Sequence, residues 1–226
     1  MSFTKYRILD LTVIIVLGAI AEALGVFLTV NFIPYFNPFS IVALGIISLA
    51  ITRYGWYGAA TIPFLALTNT LTYTFVTLSK LGEYAPQQSV YYITRAIGCL
   101  LQMCSPLILM RFYKKGTNAY LKNMGNVATA SMTVALIAVV VTYISIMVDT
   151  YVIDGFNLKA EVYGYAIVYT LTYLSFGLIL MMTMNLVLYK MKAFSDVYET
   201  LLDREIERQN EIDYYNVNNQ SNNKEN

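Results

Sequence analysis

Residues 8–30 read ILDLTVIIVLGAIAEALGVFLTV, and Asp10 and Glu22 are the only charged side chains in this stretch. A helix needs roughly 20 apolar residues to cross the hydrocarbon core of a bilayer, and this stretch exceeds that length. The whole chain of 226 residues is similar in character, with 57% hydrophobic and 13% charged residues. Soluble domains carry about 25% charged residues. The composition therefore excludes an ordinary soluble enzyme, a disordered chain and a nucleic-acid-binding protein, and it predicts a polytopic membrane protein.

Five further segments repeat this apolar character along the chain. They span residues 39–52, 57–78, 88–113, 123–148 and 162–191. Together with residues 8–30 they predict an all-α fold, an integral membrane bundle of six transmembrane helices. The segment 39–52 is short for a membrane span, so it needs tilting, a locally thinner bilayer or shelter by its neighbours.

Basic residues in the short loops predict how the bundle is oriented. With the N-terminus inside, the predicted cytoplasmic side holds most of them: Lys5, Arg7, Arg53, Arg111, Lys114, Lys115, Lys122, Lys190 and Lys192. The predicted external loops hold Lys80 and Lys159. Because basic residues favour the cytoplasmic side, the pattern predicts a multi-pass protein of the cell membrane with both termini cytoplasmic.

The chain divides into a membrane part and a tail. Residues 1–192 form the predicted six-helix transmembrane domain. Residues 193–226 form a predicted cytoplasmic tail, charged and helical at first and then disordered, because its end is mostly Asn. Residues 21–23 resemble a signal-peptide cleavage site, but the apolar run continues past them to Val30, which favours a retained first helix.

Histidine is absent from the chain. This excludes the commonest general base, the commonest zinc ligand and the Ser-His and Cys-His nucleophile systems. An intramembrane enzyme would have to use carboxylates, but Asp10, Glu22 and Asp149 fall at three different predicted depths, which excludes an aspartyl pair. The sequence therefore predicts no catalytic residues, no metal site and no cofactor.

A polar stripe follows one face of the fourth predicted helix. Its members recur at spacings of three and four residues: Gln88, Tyr91, Arg95, Gly98, Gln102 and Ser105. Arg95 lies about 10 Å from the outer end of that helix, at roughly 1.5 Å per residue. Glu22 lies at a similar depth on the first helix, on nearly the same face as Gly18 and Gly25. Because a guanidinium in a bilayer needs an acceptor or water, Glu22 and Arg95 are predicted to pair or to face one aqueous cavity.

Polar side chains of the other helices fall in the same outer half. The third, fifth and sixth helices contribute Thr68, Asn69, Thr70, Thr72, Tyr73, Thr142, Ser145, Asp149, Tyr163, Tyr165, Tyr169, Thr172 and Tyr173. This distribution predicts a water-accessible pocket that is open to the outside. Tyrosines offer flat apolar faces with hydroxyl tips, so the pocket suits a planar ligand that also makes hydrogen bonds.

Individual side chains have predicted roles in this pocket. Arg95 would bind an anionic group of the ligand, while Glu22 or Asp149 would accept a ligand donor or hold Arg95. Tyrosine rings would enclose the planar part: Tyr91, Tyr165, Tyr169 and Tyr173. The remaining candidates are Gln102, Thr142 and Ser145. A structural alternative stands beside these roles, because tyrosines also collect at membrane interfaces and hydroxyls often bond their own helix backbone.

A family resemblance rests on several features together. Ala19 and Ala23 form an AxxxA pattern in the first of six predicted spans, and both ends of the bundle are predicted inside. A short loop with prolines and aromatic residues, 31–39, follows that helix. Residues 49–55, LAITRYG, then lead through a basic residue and a glycine into the third helix. In these features residues 5–192 resemble the substrate-binding S component of an energy-coupling factor (ECF) vitamin transporter.

The resemblance implies a vitamin-binding pocket in the outer half, with the loop 31–38 as a gate that contacts the ligand through Asn31 and Tyr35. It implies that Ala19 and Ala23 dock on a membrane coupling (T) subunit, and that two cytoplasmic ATPase subunits drive the transport. No Walker A pattern occurs in the chain, so ATP hydrolysis would belong to those partners.

Two features depart from the family, because Glu22 lies within the alanine motif and a long charged tail follows Met191. The tail supports an alternative, in which the chain is a six-span sensor or input module that dimerises through a helix within residues 194–215. That helix is too short for a sustained heptad series, so the importer subunit is the leading hypothesis. Arg95 favours a vitamin with a carboxylate or phosphate, such as folate or pantothenate, and riboflavin remains open.

Overall fold

The computed structural model describes residues 3–32, 38–81, 86–114, 117–118, 124–153 and 204–212. It also describes residues 164, 167–168, 170–171, 175, 179, 182–183, 186–187, 190 and 214. Five continuous α-helices occur in these ranges: α1 (Phe3–Phe32), α2 (Pro38–Tyr54), α3 (Thr61–Leu81), α4 (Pro86–Met103) and α5 (Met124–Ile153). The predicted all-α fold is confirmed for the described residues.

Shorter elements connect these helices. A 3-10 helix, Gly55–Ala60, joins α2 to α3, and a second one, Ser105–Phe112, continues from α4. Two strands of two residues each follow it, β1 (Tyr113–Lys114) and β2 (Thr117–Asn118), and they pair antiparallel. This pairing is too short to form a layer of its own, so helix packing alone builds the described part of the molecule.

Three described stretches are long and apolar enough to cross a membrane: Thr4–Phe32, Tyr92–Arg111 and Ala128–Val148. They correspond to the first, fourth and fifth predicted spans, while α2 and α3 occupy the second and third as helices. Every described residue from 164 to 190 is helical, but most of the sixth predicted span lies outside the described residues. These stretches support a membrane-embedded protein, while the count of six spans and the orientation stay predictions.

The fourth predicted helix, residues 88–113, is not a single α-helix. The α-helical part ends at Met103, where the Cys104 amide donates to both the Leu100 and Leu101 carbonyls at 3.0 and 3.2 Å. Pro106 explains the change, because a proline lacks the N–H of the helical ladder and disfavours helical geometry at the residue before it. The chain therefore continues as the tighter 3-10 helix as far as Phe112.

The short helix α2 lies at the centre of the described bundle. It packs against α1, against both 3-10 helices and against α3 and α4. Its apolar side chains share one buried cluster with those of its neighbours: Ala43, Leu44, Ile47, Ile51, Ile62, Leu65, Ala66, Cys99, Met103, Leu109, Ala130, Val134 and Ala138. The shelter expected for a span of this length is therefore present, because protein rather than lipid surrounds most of α2.

The described helices turn apolar side chains outward and polar ones inward. Leu17 and Leu24 of α1, Phe75 of α3 and Ile144 of α5 are all exposed, whereas Glu22 is fully buried. Further buried polar side chains are Ser48, Thr52, Arg53, Thr61, Asn69, Ser105, Ser131 and Thr142. Soluble proteins rarely expose such large apolar surfaces. The pattern fits helices whose outer faces contact lipid.

The connection between α2 and α3 is a tight turn that depends on two glycines. Gly55 has a φ of 56°, in the left-handed region that favours glycine. Gly58 packs directly on the backbone of α2, since a Cβ built there would lie closer than 3.0 Å to the Ala50 carbonyl group. The turn is therefore held against α2 with no space for a side chain at position 58.

We expect Gly58→Ala to lower the free energy of unfolding by about 1–3 kcal/mol, because the added methyl group would overlap backbone atoms of α2. Denaturant unfolding of the detergent-solubilised protein measures this loss. Gly164→Ala is the matched control, because no atom of the described residues lies within 4 Å of a Cβ built at Gly164. Equal stabilities of the two variants would contradict the close packing of the turn on α2.

Candidate functional site

Glu22 lies on the face of α1 that packs into the bundle. Residues on this face recur at spacings of three and four and are all buried: Leu11, Ile14, Gly18, Glu22, Gly25 and Val26. Gly18 allows α3 to approach closely, because a Cβ there would meet the Leu65 side chain at 2.9 Å. The predicted common face of Gly18, Glu22 and Gly25 is confirmed.

Asn69 of α3 donates a hydrogen bond from its amide nitrogen to Oε1 of Glu22. Both side chains are buried, with exposed fractions of 0% for Glu22 and 3% for Asn69. A hydrogen bond between two buried polar groups offsets the cost of removing them from water. It links α1 to α3 across the interior. The sequence placed Asn69 in the polar outer half without identifying it as a partner of Glu22.

Arg95 of α4 lies against the same helix, α3. The carbon at the centre of its guanidinium is 3.6 Å from the centroid of the Tyr73 ring, which is a cation–π contact. The Tyr73 ring also meets the buried Tyr92 ring in an edge-to-face arrangement, with centroids 6.4 Å apart and planes at 64°. The guanidinium therefore lies on a ring that is itself packed against an aromatic side chain of α4.

Glu22 and Arg95 thus contact neighbouring residues of α3. Their α3 contacts, Asn69 and Tyr73, are four residues apart and lie on the same face. Cys99, one turn beyond Arg95 on α4, is buried as well. The structure therefore brings the two opposite charges into the same region between α1, α3 and α4, while a direct ion pair between them stays a prediction.

The stripe on α4 faces the interior, as predicted, for those members whose side chains are described. Gly98 and Ser105 are buried, and Arg95 and Gln102 are half-buried. Gly98 lets α5 approach, because a Cβ there would lie closer than 3.0 Å to the Cβ and Oγ of Ser145. Ser145 therefore belongs to the α4–α5 contact, one helical turn from the level of Arg95.

Two predicted ligand contacts donate hydrogen bonds to their own helices. The Thr142 hydroxyl donates to the Ala138 carbonyl at 2.7 Å, and the Asn31 amide donates to the Phe27 carbonyl at 2.8 Å. Hydroxyls that bond in the same way include those of Thr12, Ser48, Thr52, Thr68, Thr70, Thr77, Thr129, Thr133, Ser175 and Thr183. Local bonding therefore accounts for these donors without a ligand.

The structure does not describe several of the predicted ligand contacts. Tyr35, Tyr165, Tyr169 and Tyr173 fall outside the described residues, so the gate and most of the aromatic enclosure stay predictions. Two others have described positions on helices but no described side chains: Tyr91 on α4 and Asp149 on α5. Asp149 follows Ser145 by four residues on α5, so its helix position lies near the level of Arg95.

The two alanines of the AxxxA pattern have different surroundings. Ala19 packs against the buried cluster around α2. Ala23 lines an open groove of about 500 Å³ between α1 and α3. The other residues of this groove are Ile20, Leu24, Phe27, Asn31, Thr72, Phe75, Val76 and Ser79. Both alanines are half-buried, and Ala23 is the one of the pair that lines the groove.

A second polar cluster, at the opposite end of α1, was missed from the sequence. Asp10 forms an ion pair with Arg53 at 3.0 Å and accepts a hydrogen bond from the Tyr54 hydroxyl at 2.5 Å, both through Oδ2. Arg53, expected in a short cytoplasmic loop, is only 3% exposed. Burial, and then the hydrogen bond to Asp10, raise the pKa of the Tyr54 phenol above its ordinary value, so it stays a proton donor. The sequence did contain a signal for this ion pair, because Asp10 and Arg53 carry opposite charges near the adjacent ends of two consecutive helices.

No protein-family model, no curated protein and no solved structure matches the chain. Among the described residues, no three acidic or thiol side chains form a group that would hold a metal ion. Any assignment of function therefore depends on the charged and aromatic residues described above.

We expect Glu22→Leu to lower the free energy of unfolding by about 1–3 kcal/mol, because it leaves the buried amide of Asn69 without its carboxylate acceptor. Glu22→Gln keeps an acceptor oxygen and should lose less. Thermal unfolding of the solubilised variants measures both effects. Asn69→Leu should lower the free energy of unfolding less in the Glu22→Leu variant than in the wild type, because the hydrogen bond is already lost there. If the losses of the two single variants add up to the loss of the double variant, the two side chains are not coupled.

Proposed function

We propose that the chain is the membrane-embedded substrate-binding subunit of an ECF-type importer, and that Arg95 binds an anionic group of a vitamin-like ligand. The observation that carries this proposal is the position of the Arg95 guanidinium, which lies on the Tyr73 ring in the interior of the bundle. Charged side chains at membrane depth are costly and are usually functional.

The surroundings of Arg95 suit an anionic ligand. Carboxylates and phosphates match the planar fork of N–H donors that arginine presents. A ligand anion can bind Arg95 while Glu22 keeps its hydrogen bond from Asn69, so binding does not strand a buried carboxylate. The low dielectric of the interior strengthens such an ion pair.

The aromatic side chains favour a ligand that also has a flat part. Tyr73 and Tyr92 already meet edge to face beside Arg95. The predicted contributions of Tyr91, Tyr165 and Tyr169 would extend this aromatic surface. A planar vitamin or a similar micronutrient with a carboxylate or phosphate has both required features.

Transport in this proposal depends on partners. The chain would reorient or release its ligand when a membrane coupling subunit, driven by two ATPase subunits, docks on α1. Ala23 supports this part, because it opens onto the groove between α1 and α3, while Ala19 packs partly against the cluster around α2. Asn31, at the rim of the same groove, would belong to the gate that closes over the ligand.

A six-span sensor is the second candidate. Residues 204–212 form a helical segment whose side chains are all exposed, including Ile206 and Ile212. Residues six positions apart fall on different faces of an α-helix, so these two isoleucines do not form the single apolar seam of a coiled coil. The importer subunit remains our proposal because the charged and aromatic contacts lie inside the bundle rather than in the tail.

We expect Arg95→Ala to weaken ligand binding about 10- to 100-fold, because it removes a charge-assisted hydrogen bond in a buried site. Mass spectrometry of small molecules that copurify with the wild-type protein identifies the ligand, and calorimetry then measures its affinity for each variant. Arg111→Ala is the matched control, because Arg111 is exposed at the far end of the second 3-10 helix. Unchanged affinity in a folded Arg95→Ala variant would refute the assignment.

We expect Ala23→Trp to spare ligand binding and to abolish copurification with the coupling subunit, because the indole would fill the groove between α1 and α3. Leu17→Trp is the matched control, since Leu17 is exposed on α1 but does not line the groove. Coexpression with a coupling subunit and two ATPases, followed by affinity purification, provides the measurement. An intact complex in the Ala23→Trp variant would show that docking uses another face.

A further inference from the structure

The turn between α2 and α3 presents two aromatic side chains outward. Trp56 is 74% exposed and Tyr57 is 57% exposed, although both neighbouring glycines, Gly55 and Gly58, are buried. The positive φ of Gly55 and the close contact of Gly58 with α2 fix the backbone on both sides. The two rings are therefore held on a rigid turn rather than on a loose loop.

A basic segment of α1 lies beside this turn. The carbon at the centre of the Arg7 guanidinium is 3.5 Å from the centroid of the Tyr57 ring. Lys5, two residues earlier, is exposed. The contact between Arg7 and Tyr57 joins the start of α1 to the turn, so Arg7 and the two aromatic rings form one surface, and Lys5 lies at the same end of α1.

This surface has a surplus of positive charge. Residues 3–10 and 53–58 contain Lys5, Arg7 and Arg53 against a single acid, Asp10. Arg53 and Asp10 are paired at 3.0 Å and balance each other. The surplus of two positive charges therefore lies on Lys5 and Arg7, at the end of α1 that contacts the exposed rings through Arg7.

We propose that Lys5, Arg7, Trp56 and Tyr57 form a binding site for the headgroup of an anionic phospholipid. Tryptophan and tyrosine prefer the boundary between headgroups and acyl chains, and lysine and arginine near it attract anionic lipids. A phospholipid satisfies both halves of the surface, since its phosphate meets the cations and its upper acyl chain meets the rings. A soluble phosphate would leave the apolar faces of the rings in water. This site is independent of the function proposed for Arg95.

The chain contains its own reporter for this site, because Trp56 is its single tryptophan. Brominated acyl chains quench tryptophan fluorescence on contact, so lipid selectivity at Trp56 can be read directly. The full chain is reconstituted in phosphatidylcholine vesicles that contain either brominated phosphatidylglycerol or brominated phosphatidylcholine. We expect phosphatidylglycerol to quench more strongly at equal mole fraction, and we expect added salt to reduce the difference.

The double variant Lys5→Gln/Arg7→Gln should lose this selectivity. Each cation near an anionic surface is worth about a fivefold preference, equivalent to about 1 kcal/mol. Arg204→Gln/Arg208→Gln is the matched control, because it removes the same charge from exposed positions of the tail helix. Selectivity that survives in the control and falls in the double variant supports the site.

Three results would overturn the proposal. Equal quenching of the wild type by the two lipids would exclude an anionic lipid site at Trp56, whatever the variants do. An equal loss of selectivity in both double variants would show that total charge alone is responsible. Displacement of brominated phosphatidylglycerol by soluble glycerol phosphate would identify a free-phosphate site rather than a lipid site.

Discussion

The hydrogen bond from Asn69 of α3 to Glu22 of α1 is the interaction on which the described bundle depends. In lipid a carboxylate has no water to solvate it, so its partners must come from the protein. Meeting that demand fixes the rotation of α1, which turns Gly18 inward and leaves apolar side chains such as Leu24 facing outward. It also fixes the rotation of α3, which places Tyr73 one turn further along for Arg95.

The same constraint acts at the other end of α1, with a different result. There Asp10 is held by Arg53 and Tyr54 of α2, so both of its contacts come from one helix end. One polar link thus ties α1 to α3 and the other ties it to α2. Lipid provides no hydrophobic drive between helices, so packing and polar contacts of this kind set their arrangement. The short helix α2 is enclosed as a consequence.

Hydropathy and helical period located α1 to α5 and the inward stripe on α4, because both are properties of neighbouring residues. They did not identify the partners of the buried charges. Asn69 is 47 residues from Glu22, and Tyr54 is 44 residues from Asp10, so these contacts depend on how the helices pack. The end of α4 is a different case, because Pro106 was a readable signal for the change to a 3-10 helix.

The polar residues of the bundle differ in what they reveal about a ligand. A threonine such as Thr142 can place its single donor on the carbonyl four residues earlier, and it then says nothing about what the bundle binds. Arginine has five N–H donors in a rigid fork, more than the carbonyls of its own helix can accept. Its donors therefore need acceptors from other helices or from a ligand. For the Arg95 guanidinium, the Tyr73 ring of α3 is one such contact from another helix.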